Sequence, residues 1–190
     1  MERSFEPDYR VTVDEYRAFT DERPDDERWE LIDGEMVLNA TATGWHQAIA
    51  HNVQVALELE RRRTNATWRV FAGIGVRGAQ DTSNEPVPDV IVLPDLPAKN
   101  ENWTTGTLVA FEVLSPWSLR RDMVTKRAFY MRLAPLTHYV VLAQNAMRAH
   151  VFARADDFEE RELTDPEAVI DFPALGASLR LRDVYRDVEV

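Results

Sequence analysis

The sequence predicts an α/β or α+β fold in which a mixed β-sheet is flanked by helices, with a helix and a β-hairpin at the N-terminus. Two observations predict this class. Apolar residues recur at helical spacing in some segments and form short runs typical of buried strands in others, and turn residues separate these segments. At 190 residues, with 45% hydrophobic and 29% charged residues, the chain has the size of a single domain, predicted over 1–190.

The N-terminal segment is predicted to form a short helix followed by a hairpin. Thr12 followed by Glu15 resembles a capping box, which begins a helix that we expect to end near Phe19. The dipeptide Asp33-Gly34 is a strong signal for a two-residue hairpin turn, here between strands over 28–32 and 35–39.

The rest of the chain is predicted to alternate helices and strands. A second helix begins near His46, with apolar residues on one face and three arginines in its last turn, and a third begins at Asp122 and stops before Pro135. In chain order we expect a helix over 46–63, strands over 68–76, 87–93 and 108–114, a helix over 122–133, and strands over 138–143 and 149–153. The tail is expected to be an irregular wrap with a short strand or helix.

The composition excludes several classes of protein. No apolar run approaches the roughly 20 residues that span a bilayer, so no membrane partner is expected. The first ten residues lack the apolar region of a secretory signal. Because the chain has no cysteine, disulfides and thiolate zinc sites are excluded. A cytoplasmic location is therefore the expectation.

The net charge of −11 is unevenly distributed along the chain. Residues 1–35 carry 13 acidic and 5 basic side chains, a charge of −8, and residues 154–190 carry 11 and 5, a charge of −6. Residues 36–153 carry 9 acidic and 12 basic side chains, a charge of +3. Because phosphate contacts favour a basic surface, the middle of the chain could face a polyanion. The alternative is a solvated acidic protein whose local charge varies at random.

Two carboxylates lie in predicted strands that are otherwise almost entirely apolar. Asp89 lies in the run 87–93 and Glu112 lies in the run 108–114. A carboxylate in such a strand is unfavourable unless it is paired, protonated or bound to a cation. On neighbouring strands the two could meet around one divalent metal, and their oxygen ligands suit Mg²⁺ or Mn²⁺. The alternative is that each lies at an exposed strand edge or pairs with an arginine.

A lysine follows these acids on the predicted third helix. Lys126 and Tyr130 are four residues apart and share a face, and Asp122 lies one turn before Lys126. A helix that packs on the sheet after the Glu112 strand could direct Lys126 back toward the two carboxylates. The alternative is an ordinary ion pair between Lys126 and Asp122 on a solvated face.

These residues belong to a larger pattern that resembles a known family. In chain order the pattern comprises Trp29-Glu30-Leu31-Ile32-Asp33-Gly34-Glu35, His46, Pro88-Asp89, Glu112-Val113-Leu114-Ser115-Pro116, Asp122, Lys126 and Tyr130. Over about Val11 to Leu142 it resembles the Uma-two family of putative restriction endonucleases, within the PD-(D/E)xK nuclease superfamily. The superfamily's lysine usually lies two residues after the acid, where this chain has Leu114. The resemblance implies that Lys126 on the helix replaces it.

The resemblance implies a restriction-endonuclease-like fold and in-line hydrolysis of a phosphodiester. Asp89 and Glu112, together with the Val113 carbonyl, would hold Mg²⁺ or Mn²⁺, which polarises the phosphate and lowers the pKa of a bound water. Lys126 would orient that water or stabilise the charge that develops on the phosphate.

Further residues are predicted to assist. Glu30 could be an outer carboxylate that binds a second metal through water, or could form a surface pair. His46 could contact a phosphate from a helix N-terminus, or could simply begin the helix. Arg120 and Arg121 could contact DNA phosphates, with Tyr130 beside them, or could form a solvated face. Bases could stack on tryptophans that otherwise anchor the core and loops, namely Trp45, Trp68, Trp103 and Trp117.

The function predicted from these patterns is a metal-dependent endonuclease that acts on DNA. A homodimer is expected, because two symmetry-related sites can cut both strands of a duplex. Two alternatives stay open. One is a catalytically silent nucleic-acid-binding module on the same fold, and the other is a protein-interaction domain, which the acidic ends would suit.

Overall fold

The computed structural model describes residues 9–24, 26–115 and 118–190. The helices are α1 (Val13–Thr20), α2 (Gly44–Thr64), α3 (Arg127–Met131) and α4 (Leu181–Val184), and a π-helical segment, Arg121–Lys126, leads directly into α3. Within the described ranges, no helix is both long and apolar enough to cross a bilayer. Pro116, the last residue of the Glu112 motif in the family pattern, and Trp117, considered for base stacking, lie outside the described residues.

Twelve strands are described, and six of them form the central sheet. The strands are β1 (Arg28–Ile32), β2 (Glu35–Asn39), β3 (Arg69–Phe71), β4 (Gly75–Val76), β5 (Val90–Leu93), β6 (Trp103–Thr104), β7 (Val109–Leu114), β8 (His138–Ala143), β9 (Ala149–Ala153), β10 (Glu160–Leu163), β11 (Val169–Phe172) and β12 (Ala177–Arg180). The central sheet has the order β10-β9-β8-β7-β5-β3. Its β7–β8 pair is parallel and its other pairs are antiparallel. The predicted mixed sheet is therefore confirmed.

Apolar residues cover both faces of this sheet. The long helix α2 packs on one face together with β11, β12 and α4, and α3 packs on the other. Along β7 the side chains alternate between the faces, so Phe111 and Val113 join the α2 layer while Ala110 joins the α3 layer. The same alternation places Glu112 on the α3 face, below the helical segment that carries Lys126.

The local signals at the N-terminus are confirmed. Helix α1 begins with a capping box, in which the Thr12 hydroxyl accepts a hydrogen bond from the Glu15 N–H and the Glu15 carboxylate accepts one from the Thr12 N–H. Strands β1 and β2 form an antiparallel hairpin. Asp33 and Gly34 have φ values of 49° and 72°, which suit a tight two-residue turn.

Two predicted strands are shorter in the structure. The strand expected over 68–76 is divided into β3 and β4, because Gly73, at a φ of 71°, turns the chain between them. Strand β4 then pairs in parallel with β6, outside the central sheet. The strand expected from residue 87 begins at Val90, since Pro88 has no N–H to donate to a ladder. Asp89 therefore lies just before β5 rather than within it.

The third helix and the tail also differ from the prediction. Asp122 does not begin the helix, because its N–H already donates to the Ser118 carbonyl at 2.9 Å. It lies inside the π-helical segment instead. The tail is more regular than expected: β10 extends the central sheet, and the antiparallel pair of β11 and β12 packs its apolar residues beside α2.

Gly34 is predicted to be the residue on which the hairpin turn depends. A Cβ at this position would lie 2.7 Å from the Arg10 Cβ, and the backbone φ of 72° disfavours any L side chain. We expect Gly34→Ala to lower the free energy of unfolding by about 1–3 kcal/mol, measured by urea denaturation. Gly44→Ala is the matched control, because a Cβ there meets nothing within 4 Å and alanine favours the helix. Equal stability of the two variants would contradict this account of the turn.

Candidate active site

A buried lysine lies among three carboxylates between the hairpin, the central sheet and the π-helical segment. The Lys126 Nζ is 2.8 Å from the Glu30 Oε1, 2.9 Å from the Glu112 Oε1 and 3.5 Å from the Asp122 Oδ1. Each of the four side chains is at most 5% exposed. We call these four residues the lysine–carboxylate cluster. The interpretation of Lys126 as part of a solvated pair is therefore wrong.

Three elements supply the four residues of the cluster. Strand β1 supplies Glu30, whose Oε1 also accepts the Val87 N–H at 2.7 Å. Strand β7 supplies Glu112, and the π-helical segment supplies both Asp122 and Lys126. Their spacing of four residues brings the last two side chains to one face of the segment. The resemblance implied a place for Lys126 beside Glu112, and the structure places it there. Asp122 was interpreted only as the start of a helix or as a partner of Lys126 on a solvated face.

Asp89 lies next to the cluster with a different set of partners. Its Oδ2 accepts the Val113 N–H at 2.7 Å and lies 3.2 Å from the His46 Nε2. The aspartate therefore takes a main-chain hydrogen bond from the strand that carries Glu112. Its side chain is 20% exposed, so the site reaches solvent on the Asp89 side.

His46 occupies the first turn of α2, and the end of the central sheet helps to fix its position. Its N–H donates to the Thr43 hydroxyl at 3.3 Å, which caps the helix. The Gln144 side chain donates to the same hydroxyl at 2.8 Å. The imidazole faces Asp89 and is 14% exposed, and its contact with a phosphate stays a prediction.

Burial and charge act against each other on the titratable groups of the site. Burial raises the pKa of Glu112 well above its usual 4.5, and the positive charge of Lys126 offsets this only in part. Burial also raises the pKa of Asp122. For Lys126 burial lowers the pKa, but the charges of Glu112, Glu30 and Asp122 outweigh it and raise the pKa above its usual value. Lys126 therefore carries a positive charge at neutral pH.

The pKa of His46 is also raised. Burial alone would lower it, but the hydrogen bond and the negative charge of Asp89 more than compensate, and the Val113 backbone adds to the effect. The two groups that raise the pKa, Asp89 and the Val113 backbone, are the same two that the family resemblance assigns to a metal.

The site contains more negative than positive charge. Four carboxylates, those of Glu30, Asp89, Glu112 and Asp122, share one lysine and one histidine. Arg121 approaches Asp122 no closer than 3.8 Å. Two buried oxygens in this group, the Glu30 Oε2 and the Asp122 Oδ1, have no hydrogen-bond partner. Carboxylates in excess of the positive charges, with two buried oxygens that accept no hydrogen bond, fit a site for a divalent cation.

The side-chain ligand atoms of His46, Asp89 and Glu112 do not converge on one point. Among the described residues, the ligand atoms of these three side chains do not all lie within 4.8 Å of one another. The group that does meet this distance, His150 with Glu160 and Glu162, lies on β9 and β10 at the sheet edge. We call it the edge group.

The other residues predicted to contact the substrate lie apart from one another. Tyr130 is completely buried, and its hydroxyl lies 3.4 Å from the Glu112 Oε1, so it contacts the cluster rather than the surface. Arg121 donates to the Asn39 side chain at 2.8 Å, and Arg120 is exposed. Trp68 is buried and donates to the Leu175 carbonyl at 2.9 Å, which makes it a core residue. Of the other described tryptophans, Trp45 is exposed and Trp103 lies under the Arg77 guanidinium.

Comparison with known proteins identifies the fold. A family model, Uma2, described as putative restriction endonuclease, matches residues 13–182. A crystal structure from Anabaena variabilis, described as a putative nuclease belonging to DUF820, is similar to this chain with a TM-score of 0.72 and 18% identity, and the match covers 92% of this chain and 97% of that one. No curated protein matches the chain. The predicted restriction-endonuclease-like fold is thus confirmed.

Lys126→Met is predicted to destabilise the protein in a pH-dependent way. Removal of one partner from a buried ionic cluster is unfavourable by about 3–5 kcal/mol, because the remaining charges lose their counterion. Without Lys126 the pKa of Glu112 rises further, so the folded state binds more protons than the unfolded state. The unfolding free energy of the variant then falls as the pH rises above about 4.5 toward the folded-state pKa.

The measurement is urea denaturation in EDTA at pH 5 and at pH 8. We expect the stability deficit of Lys126→Met relative to the wild type to be larger at pH 8. Lys99→Met serves as the control, since Lys99 is the only other lysine in the sequence and its side chain is exposed. A deficit of the same size at both pH values would mean that Lys126 does not neutralise the cluster.

Proposed function

The chain belongs to the Uma2 family of putative restriction endonucleases, and from this premise we propose that it is a divalent-metal-dependent endonuclease that hydrolyses DNA. One observation carries the metal dependence. Four carboxylates line a largely buried site that holds one lysine and one histidine, and two of their oxygens accept no hydrogen bond.

This arrangement is unfavourable without a further cation. An unpaired charge removed from water is strongly destabilising, and buried carboxylates respond by binding protons or cations. The pKa of Glu112 reflects the same shortage of positive charge. Burial raises this pKa by more than the charge of Lys126 lowers it. A divalent cation between Asp89 and Glu112 would restore neutrality without a proton. A module that only binds DNA has no use for such a group of acids.

Asp89, Glu112 and the Val113 carbonyl are the residues that would hold the metal. Asp89 and the Val113 peptide are already linked by a hydrogen bond of 2.7 Å, and Glu112 precedes Val113 on β7. Their oxygen atoms are the donors that Mg²⁺ and Mn²⁺ prefer. When bound there, the metal would polarise a DNA phosphate and lower the pKa of a coordinated water.

Lys126 supplies positive charge in this mechanism. Its raised pKa keeps it protonated, so it cannot act as a general base at neutral pH. It can orient the attacking water by hydrogen bonding and stabilise the negative charge that develops on the phosphate. Glu30 and Asp122 are positioning residues, since both contact the ammonium group and hold it beside Glu112.

The family and the charge distribution support DNA as the substrate, and a homodimer is proposed because a duplex has two strands to cut. Arg120 is exposed directly before the π-helical segment, where it can contact a DNA phosphate. The middle of the chain carries a net positive charge while both ends are acidic. A homodimer would place two sites on the two strands of a duplex.

The test is cleavage of plasmid and single-stranded DNA in the presence of Mg²⁺, Mn²⁺ or EDTA. We expect cleavage with a divalent metal and none in EDTA, and a loss of at least about a hundredfold in rate for Glu112→Gln and for Lys126→Met. The control is Glu160→Gln, which removes an acid from the edge group and should leave the rate unchanged. Cleavage that continues in EDTA, or at the wild-type rate in Glu112→Gln, would refute the proposal.

A further inference from the structure

The segment that carries Lys126 departs from α-helical geometry. In an α-helix the Asp122 carbonyl would accept the N–H of residue 126, four positions later. In the segment Arg121–Lys126 it accepts the Arg127 N–H, five positions later, which is the π-helical pattern. Because π-helical turns are rare and are frequently found at functional sites, we ask which contact outside the segment favours this one.

Tyr139 on β8 makes such a contact. Its hydroxyl donates to the same Asp122 carbonyl at 2.9 Å, and its side chain is completely buried. Tyr139 lies two residues before Val141, which is the partner of Glu112 in the parallel β7–β8 ladder. Because side chains alternate along a strand, Tyr139 and Glu112 occupy the same face of the sheet. The hydroxyl therefore ties the π-helical segment to the sheet beside the strand that carries Glu112.

This hydrogen bond lies one turn before Lys126 and affects where its side chain points. In the observed register Asp122 and Lys126 are directed inward, at 2% and 3% exposure, whereas Val124 between them is 59% exposed. The Lys126 Nζ then lies 2.9 Å from the Glu112 Oε1. A change to the α-helical register would alter the number of residues per turn and would rotate Lys126 relative to the sheet.

The ring of Tyr139 has a packing role that does not account for its hydroxyl. The ring stacks on Tyr130, with centroids 4.7 Å apart, and on Phe152, with centroids 6.0 Å apart. A phenylalanine could make the same ring contacts. Burial raises the pKa of Tyr139 well above its usual 10, so the hydroxyl keeps its proton and remains a donor. What tyrosine adds at this position is the hydrogen bond to Asp122.

We propose that Tyr139 is a positioning residue that holds Lys126 against Glu112 by keeping the Asp122 carbonyl in the π-helical register. This inference rests on the proposed function, in which Lys126 orients the attacking water or stabilises charge on the phosphate. A small displacement of such a group lowers the rate of reaction strongly. Because Tyr139 is completely buried, it does not contact DNA, and its loss should lower kcat without changing KM.

The experiment compares the wild type with Tyr139→Phe and Tyr185→Phe. Tyr185 is the matched control, because it is a buried tyrosine on the α2 face whose hydroxyl donates to two main-chain carbonyls, each at 2.7 Å. In Tyr139→Phe the Asp122 carbonyl keeps the Arg127 N–H as a donor and the ring contacts remain, so we expect this variant to fold. Circular dichroism and urea denaturation give the folded fraction of each protein.

The first measurement requires neither metal nor turnover. Lys99 and Lys126 are the two lysines of the chain, so labelling lysine with ¹⁵N gives one side-chain signal for each in nuclear magnetic resonance. In EDTA we expect the ammonium protons of Lys126 to exchange with water at least about tenfold faster in Tyr139→Phe than in the wild type, and at the wild-type rate in Tyr185→Phe.

The second measurement is plasmid cleavage with Mg²⁺ or Mn²⁺. We expect kcat to be at least about tenfold lower in Tyr139→Phe, with KM within about twofold of the wild-type value, and no change in Tyr185→Phe. Exchange at Lys126 that is unchanged in Tyr139→Phe, or equally faster in Tyr185→Phe, would overturn the role of Tyr139. Faster exchange with an unchanged kcat would also overturn it, and either result leaves the proposed function standing. Absence of DNA cleavage by the wild-type protein would overturn both, whatever the exchange rates.

Discussion

The contact between Lys126 and the carboxylates of Glu30 and Glu112 is the interaction on which the site depends. It joins the N-terminal hairpin, the central sheet and the π-helical segment at one buried point, with separations of 2.8 and 2.9 Å. A buried ionic cluster of this kind contributes little net stability, because each charge gives up its hydration. The cluster is better explained by the charge that it places at the site, because the lysine stays protonated and the carboxylates outnumber it. That excess is what a divalent cation would neutralise.

The fold brings these groups together through the ends of its elements. Strand β5 begins late because Pro88 cannot donate a ladder hydrogen bond, and the freed Asp89 side chain takes the Val113 N–H instead. Alternation along β7 directs Glu112 toward the α3 layer, while Val113 beside it packs in the α2 layer. The first turn of α2 then places His46 against Asp89. Lys126 thus approaches β7 from the α3 face of the sheet, and His46 approaches it from the α2 face.

The general architecture and the two acids could be predicted from the sequence, because both depend on local patterns. The hairpin follows from Asp33-Gly34, and the acids are conspicuous in apolar runs. The contacts of Glu30 could not be predicted, since they join residues 96 positions apart in the chain. Asp122 was mistaken for a helix cap because an acid before a helical pattern usually has that role. Its spacing of four residues from Lys126 was the available signal, and only the burial of both residues shows that the pair is internal.

The most direct test of this account is the anomalous diffraction of crystals grown with a saturating concentration of Mn²⁺. The account predicts a strong anomalous peak within ligand distance of the Asp89 and Glu112 carboxylates and of the Val113 carbonyl, with Lys126 retained beside Glu112. A map without a peak at these carboxylates, with Lys126 still bound between Glu30 and Glu112, would contradict it. A peak confined to His150, Glu160 and Glu162 would do the same.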